Sequence, residues 1–200
     1  LNTTPMSLYR QLQLLAVYSR RKVSGISGNV DMNYAYVDVS LYYWQLNTFE
    51  ITDFAQKIHP NAELEPVARH GEKPQILQFG SAVEELSGIM GLISTYRKSG
   101  YKSLGIICKT EQQARKMADM LKSYANDISF LSSQSSAFVQ GIVITSAHMA
   151  KGLEFDEVII PQTDERNYRS EIDKSMLYVA VTRAMHRLTL TFHEARPATH

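Results

Sequence analysis

Four ionisable side chains, His148, Lys151, Glu154 and Asp156, fall within nine residues of one another, between two β-branched apolar runs, Gly141–Thr145 and Glu157–Ile160. Runs of that composition suit strands buried on both faces, and the connection between two such strands is ordinarily short and plain. A connection carrying an imidazole, an ammonium and two carboxylates is either an exposed turn with ordinary charges or a polar site for a ligand. Gly152 would let the backbone approach that ligand closely. A second candidate is Arg183, near the end of a helix expected over about residues 172–185. Met176, Leu177, Val179, Ala180 and Val181 make this helix apolar on most sides, so it must be largely buried. An arginine on it needs an anionic partner: a carboxylate in a structural ion pair, or a phosphate, whose oxygens the guanidinium fork matches. Lys109 and Thr110 directly follow a further apolar run, Leu104–Cys108, and form a third, lesser candidate.

Several chemistries lack their residues in this sequence. No G-x-x-x-x-G-K-[ST] is present, so the sequence holds no loop of backbone amides to cradle phosphates and no lysine aimed at them. No acidic pair directly follows an apolar strand, as a Mg²⁺-binding carboxylate does in P-loop enzymes. Cysteine and histidine are too scattered for a zinc site, and neither a G-x-S-x-G elbow nor a G-x-G-x-x-G after a strand occurs.

The elements that must position these residues alternate from about Gln75 onward. Gln75–Phe79 predicts a strand. Ser81 can cap a helix running to about Lys98, with Glu84 three residues on and Val83, Leu86, Ile89, Met90 and Ile93 at helical spacing. Leu104–Cys108 predicts a buried strand, and Thr110 caps a second helix with Ala114, Met117, Ala118 and Leu121 on one stripe. Ile128–Leu131, Gly141–Thr145, Glu157–Ile160 and Arg187–Phe192 predict further strands, and Thr48–Ile58 an earlier helix capped by Thr48. Strands and helices in this alternation give a mainly parallel sheet wrapped on both faces: an α/β, three-layer domain. In such sheets the working residues sit on loops beyond the carboxyl ends of strands, which points to Lys109-Thr110, the Ser146–Asp156 segment and the turn after Pro161.

Composition sets the bounds. At 44% apolar and 20% charged residues the chain is globular rather than disordered, and a net charge of +1 confines any basic footprint to a local patch. The single cysteine, Cys108, allows no internal disulfide, which points to a reducing compartment and a cytoplasmic protein. No stretch approaches the length of a membrane span. The sequence starts at Leu1 without a signal-peptide pattern and is expected to be part of a longer protein. Residues 1–47 are tyrosine-rich, carry Arg20-Arg21-Lys22 and a helix face of Leu8, Leu12 and Leu15, and receive no role. The expected division is 1–47, an N-terminal segment of uncertain structure, and 48–200, the α/β domain. Asn61–Pro74 is expected to be a connecting loop.

The two main segments also carry a resemblance. Ser146-Ala-His-Met-Ala-Lys-Gly-Leu-Glu-Phe155 resembles motif V, T-x-H-x-A-K-G-L-E-F, of UvrD/Rep-type superfamily 1 helicases, with serine in place of threonine. Leu177-Tyr-Val-Ala-Val-Thr-Arg-Ala184 resembles their motif VI, L-Y-V-A-x-T-R-A. Arg69-His70-Gly71-Glu72-Lys73-Pro74 and Thr48–Phe54 are similar to the helicase IV/HelD-like branch, and the likeness runs from about Thr48 to Phe192. It implies a RecA-like C-terminal domain lacking the P-loop itself, the motor half of an ATP-dependent DNA helicase. Its ATP and Mg²⁺ would be held by an absent P-loop domain of the same full-length chain, and the piece alone would be inactive. By position, Arg183 would reach the γ-phosphate, Glu154 would touch the nucleotide at its ribose or nearby, and Gly152 would shape that turn. Ser146 and His148 would face single-stranded DNA, with Lys151, Lys109 and Thr110 as further nucleic-acid contacts. One position departs: the family's S-Y-R-S-T aligns with Trp44-Gln45-Leu46-Asn47-Thr48, so Leu46 replaces an arginine that also contacts γ-phosphate. That departure carries the alternative expectation, a degenerate helicase-fold scaffold; HelD-like relatives imply RNA polymerase as its partner.

Overall fold

Strand and helix alternate along the residues that the computed structural model describes, 47–59, 69–124, 126–132 and 141–193. Helix α1 spans Phe49–Ile58, and strand β1 spans Gln75–Phe79. Helix α2 (Ala82–Arg97) leads to β2 (Ser103–Cys108), and α3 (Glu111–Lys122) to β3 (Ile128–Phe130). Then come β4 (Gly141–Ser146), β5 (Phe155–Ile160), α4 (Glu171–Val181) and β6 (Ala184–His193). The expectations for residues 1–46, including the leucine helix face and Leu46, lie outside the described residues. So does the loop expected at Asn61–Pro74 over residues 61–68; residues 69–74 are irregular.

The six strands form one parallel sheet in the order β1-β6-β5-β2-β4-β3. This is the expected α/β, RecA-like layering. Strands β2 and β4 are buried over all but their first residue, as apolar runs without alternation require when helices cover both faces. One face is covered by α1 and α4: Ile51, Ala55, Leu177 and Val181 pack on Ile107, Val143, Val158, Ile160 and Leu188. The other is covered by α2 and α3: Ile89, Ile93, Ala114 and Leu121 pack on Leu104, Ile106, Ile144 and Ile159. Gly105 of β2 lies under the fully buried ring of Phe155, where a Cβ would come within 2.6 Å of Cδ2.

The expected caps hold at Ser81 and Thr110, whose hydroxyls accept from Glu84 N and Gln113 N at 3.2 Å each. Thr48 stands at the N-cap position of α1 but makes no capping bond, which corrects that expectation. Its side chain is instead packed against Gly71, and its hydroxyl is buried without a hydrogen-bond partner. The boundary near Arg183 also shifts. The helix ends at Val181 rather than Met185, and β6 starts at Ala184 rather than Arg187. The Thr182 hydroxyl bonds back to Val179 O at 2.9 Å, and Phe155 N donates to Arg183 O at 2.9 Å. Pairing with β5 therefore takes over residues whose local pattern reads as helix.

Candidate nucleotide and nucleic-acid surfaces

Because every strand runs the same way, the sheet has a carboxyl edge and an amino edge, and the candidate residues divide between them. Lys109 and Thr110 follow β2 and His148 follows the end of β4, so they lie at the carboxyl edge; Ala147 N donates to Cys108 O across the two strand ends at 2.8 Å. Glu154 precedes β5 and Arg183 precedes β6, so both lie at the amino edge, joined by the bond from Phe155 N to Arg183 O. Of the residues expected beyond carboxyl ends, Lys109, Thr110 and His148 lie there, whereas Glu154 lies at the amino edge. Two segments connect the edges: residues 147–154, whose Ala147 and Ala150 are buried on the α1/α4 face, and α4 itself. Gly152 has φ +85° and open space where a Cβ would stand. The turn needs glycine for that left-handed backbone, and no other described residue lies close to where a Cβ would stand.

At the amino edge the Arg183 guanidinium is half-buried. It donates to three uncharged oxygens: Val179 O at 3.2 Å, Leu153 O at 3.3 Å and Thr182 Oγ1 at 3.1 Å. These three bonds fix its plane. Glu154 lies within its field. Burial pushes the Glu154 carboxyl up to about 7, with the Arg183 charge opposing. Its Oε2 is buried with no hydrogen-bond partner among the described residues. Asn47 joins the same cluster: Nδ2 donates to Thr182 O at 3.3 Å while Oδ1 is buried and unpartnered. Tyr178, one helical turn before Thr182, has its hydroxyl pushed up to about 12, chiefly by burial. Buried acceptors without a donor among the described residues, next to the Arg183 guanidinium, suit a ligand that brings hydroxyls.

At the carboxyl edge the residues differ in availability. His148, Lys151 and Thr110 are exposed. Lys109 is committed internally: Nζ lies 2.6 Å from Asp173 Oδ1 and 2.5 Å from Asn167 O. The Lys109 hydrogen bond, with the backbone N–H of Ser170, draws the Asp173 carboxyl down to about 2. Thr110 spends its hydroxyl on the capping box with Gln113. Ser146, expected to face nucleic acid, is 3% exposed, and its hydroxyl accepts from Met149 N at 3.4 Å. Ser146 ends a strand that is buried on both faces, so its side chain is covered whichever way it points.

The sequence pointed to neither Asn47 nor Asp173. Asp173 is legible as the third residue of a helix capped by Ser170, but its partnership with Lys109 depends on how β2 and α4 are brought together. Asn47 has no sequence signal beyond its place before Thr48.

The comparisons bear on the same segments. Residues 125–195 match the family model of the UvrD-like helicase C-terminal domain, spanning both motif-like segments. DNA helicase II of Escherichia coli (strain K12) is 34% identical over 73 residues, covering 32% of this chain and 10% of that protein. DNA helicase II of Salmonella typhimurium (strain LT2) gives the same values. The match thus spans about a tenth of the length of these relatives. The solved C-terminal domain of a possible DNA helicase from Lactobacillus plantarum WCFS1 superposes with a TM-score of 0.66 at 24% identity, over 76% of this chain and 89% of that one. That likeness is one of fold. Among the described residues no helix is long and apolar enough to cross a membrane. Residues 125–195 are thus similar to the UvrD-like helicase C-terminal domain, and this likeness fits the C-terminal domain of UvrD/Rep-type superfamily 1 helicases.

Proposed function

We propose that this chain is the C-terminal motor domain of an ATP-dependent DNA helicase, completing an ATP site whose phosphate-binding loop belongs to another domain of the full-length protein. The observation that carries this reading is the division of its polar residues between the two edges of one parallel sheet. The amino edge offers a guanidinium and an unpartnered acceptor, Arg183 and Glu154. The carboxyl edge offers exposed His148, and Lys151 is exposed on the segment between the edges.

In this reading ATP supplies the phosphoryl group whose transfer drives the motor. Arg183 meets the charge that develops on it, an effect worth about 10³ to 10⁵ in rate when an arginine acts from the facing wall. Its bonds to Val179 O, Leu153 O and Thr182 Oγ1 hold the guanidinium in place before ligand arrives, so little reorganisation is left for the reaction. Glu154 accepts a hydrogen bond from a ribose hydroxyl through the oxygen that has no partner among the described residues. His148 and Lys151 contact single-stranded DNA, and Lys109 joins them when its pair with Asp173 opens. Residues 147–154 and α4 are the segments through which occupancy at one edge reaches the other. The chain alone carries no G-x-x-x-x-G-K-[ST] and on this reading turns over no ATP.

The test is a separation of function in the full-length protein. Arg183→Ala is expected to remove DNA-stimulated ATPase and to leave affinity for an oligo-dT strand unchanged. His148→Ala with Lys151→Ala is expected to weaken oligo-dT binding and flatten its salt dependence by about 0.7 in log–log slope for each phosphate no longer neutralised. If the arginine variant loses the strand and the loop variant does not, the assignment of the edges is wrong.

A further inference from the structure

The segment Arg69-His70-Gly71-Glu72 is conspicuous in the sequence, yet neither edge of the proposed site uses it. It runs over the amino edge and contacts two places, Arg69 touching both. The first is the start of α1. Phe49 N donates to Arg69 O at 2.8 Å, and Glu50 accepts from His70 Nδ1 at 2.9 Å and from Gly71 N at 2.8 Å. Those donors, His70 first and then Gly71, draw the Glu50 carboxyl down to about 2. Gly71 sits so close to Thr48 that a Cβ on it would lie 2.4 Å from Thr48 Cγ2. The second place is the start of β6. Arg69 Nη2 reaches Met185 O at 3.5 Å and lies against His186, and Glu72 grips Arg187 with two bonds of 2.6 and 3.0 Å. Arg187 is held from its other side by Glu157 at 2.8 Å. A third tie closes the frame: Asn47, next to Thr48, donates to Thr182 O at 3.3 Å.

Residues 182, 185, 186 and 187 are therefore each fixed by this frame, and Arg183 lies between the first and second of them. We propose that segment 69–72 is the positioning element for Arg183, clamping the α1 start to the β6 start so that the guanidinium meets the nucleotide at a set depth. The inference rests on the reading of Arg183 given above. The residues of the clamp touch no reacting atom; they act through the position of the 182–187 segment, and a misplacement of about 1 Å at such a group can cost about 10²-fold in rate.

The experiment uses the full-length protein with ATP and oligo-dT, reading kcat, KM for ATP and melting temperature together. Gly71→Ala must push against the buried Thr48 methyl; it is expected to lower the melting temperature and to lower kcat between about tenfold and 10²-fold while KM for ATP holds. Adding Thr48→Ser, which deletes the methyl in the way, is expected to recover most of the lost kcat. Should Gly71→Ala fail to fold, Glu72→Gln, on a half-exposed side chain, is expected to lower kcat in the same selective way, by a smaller factor. Wild-type kcat in Gly71→Ala, or in Glu72→Gln where that variant stands in, alongside an inactive Arg183→Ala, overturns the clamp and leaves the reading of Arg183 standing. A fall in kcat that Thr48→Ser does not restore also overturns it. Full turnover in Arg183→Ala overturns the reading beneath, and the clamp with it.

Discussion

Glu154→Gln is expected to make this chain more stable at neutral and alkaline pH. The wild-type carboxyl is raised from 4.5 to about 7, chiefly by burial and against the pull of Arg183. An acid whose folded-state value lies above its unfolded one binds its proton more tightly when folded. Its favourable contribution is complete below about 4.5 and is lost as the pH rises through about 7. The gap between those values, at ~1.4 kcal/mol per pH unit, sets a ceiling of roughly 3 kcal/mol. The side chain is half-buried rather than sealed, and solvent screening reduces the figure to about 1–2 kcal/mol. Glutamine has the same shape and no charge to desolvate. Denaturant midpoints at pH 4.5 and pH 8 check the prediction: the advantage of the variant over wild type should widen by about 1–2 kcal/mol across that window. The same substitution should weaken nucleotide-dependent activity in the full-length protein, since carboxyls raised by burial beside a charge cluster at binding sites. An advantage that does not change with pH, or a variant less stable than wild type at pH 8, would refute the electrostatic argument.

Two further outcomes follow from the packing. Gly105→Ala drives a methyl into the buried Phe155 ring, 2.6 Å from its Cδ2, and should cost about 1–3 kcal/mol, read as a lower melting temperature; an unchanged melting temperature would contradict the close approach. Cys108 is 3% exposed and its thiol is pushed up to about 12 by burial, so at pH 8 it should resist alkylation in the native protein and react only in denaturant. Rapid native labelling would show that β2 is not sealed as described.

The sheet was legible because buried parallel strands leave short β-branched runs, and five of its six strands lie within two residues of the runs that announce them. The sixth shows the limit. Ala184–Arg187 continues a helical pattern, and only the partner strand β5 reveals that these residues pair in the sheet. The site was legible as two segments but not as two edges. That arrangement follows from strand direction, which places Glu154 and His148, six residues apart, at opposite ends of the sheet. Ser146 and Lys109 show the converse. Both stand where nucleic-acid contacts are expected, yet burial uses one and an ion pair with Asp173 occupies the other. No spacing along the chain encodes a partner that lies 64 residues away. The Arg69–Glu72 segment was recognisable as a pattern but carried no meaning until its contacts with α1 and β6 were seen.

The central claim is that Arg183 acts on a nucleotide held by another domain, and paired measurements on Arg183→Ala in the full-length protein test it most directly. Equilibrium binding of ATP should stay close to wild type, because the proposal assigns the phosphate-binding loop to another domain, while DNA-stimulated turnover falls by about 10³-fold or more. Turnover at the wild-type rate would contradict the account, and so would a variant that no longer binds ATP.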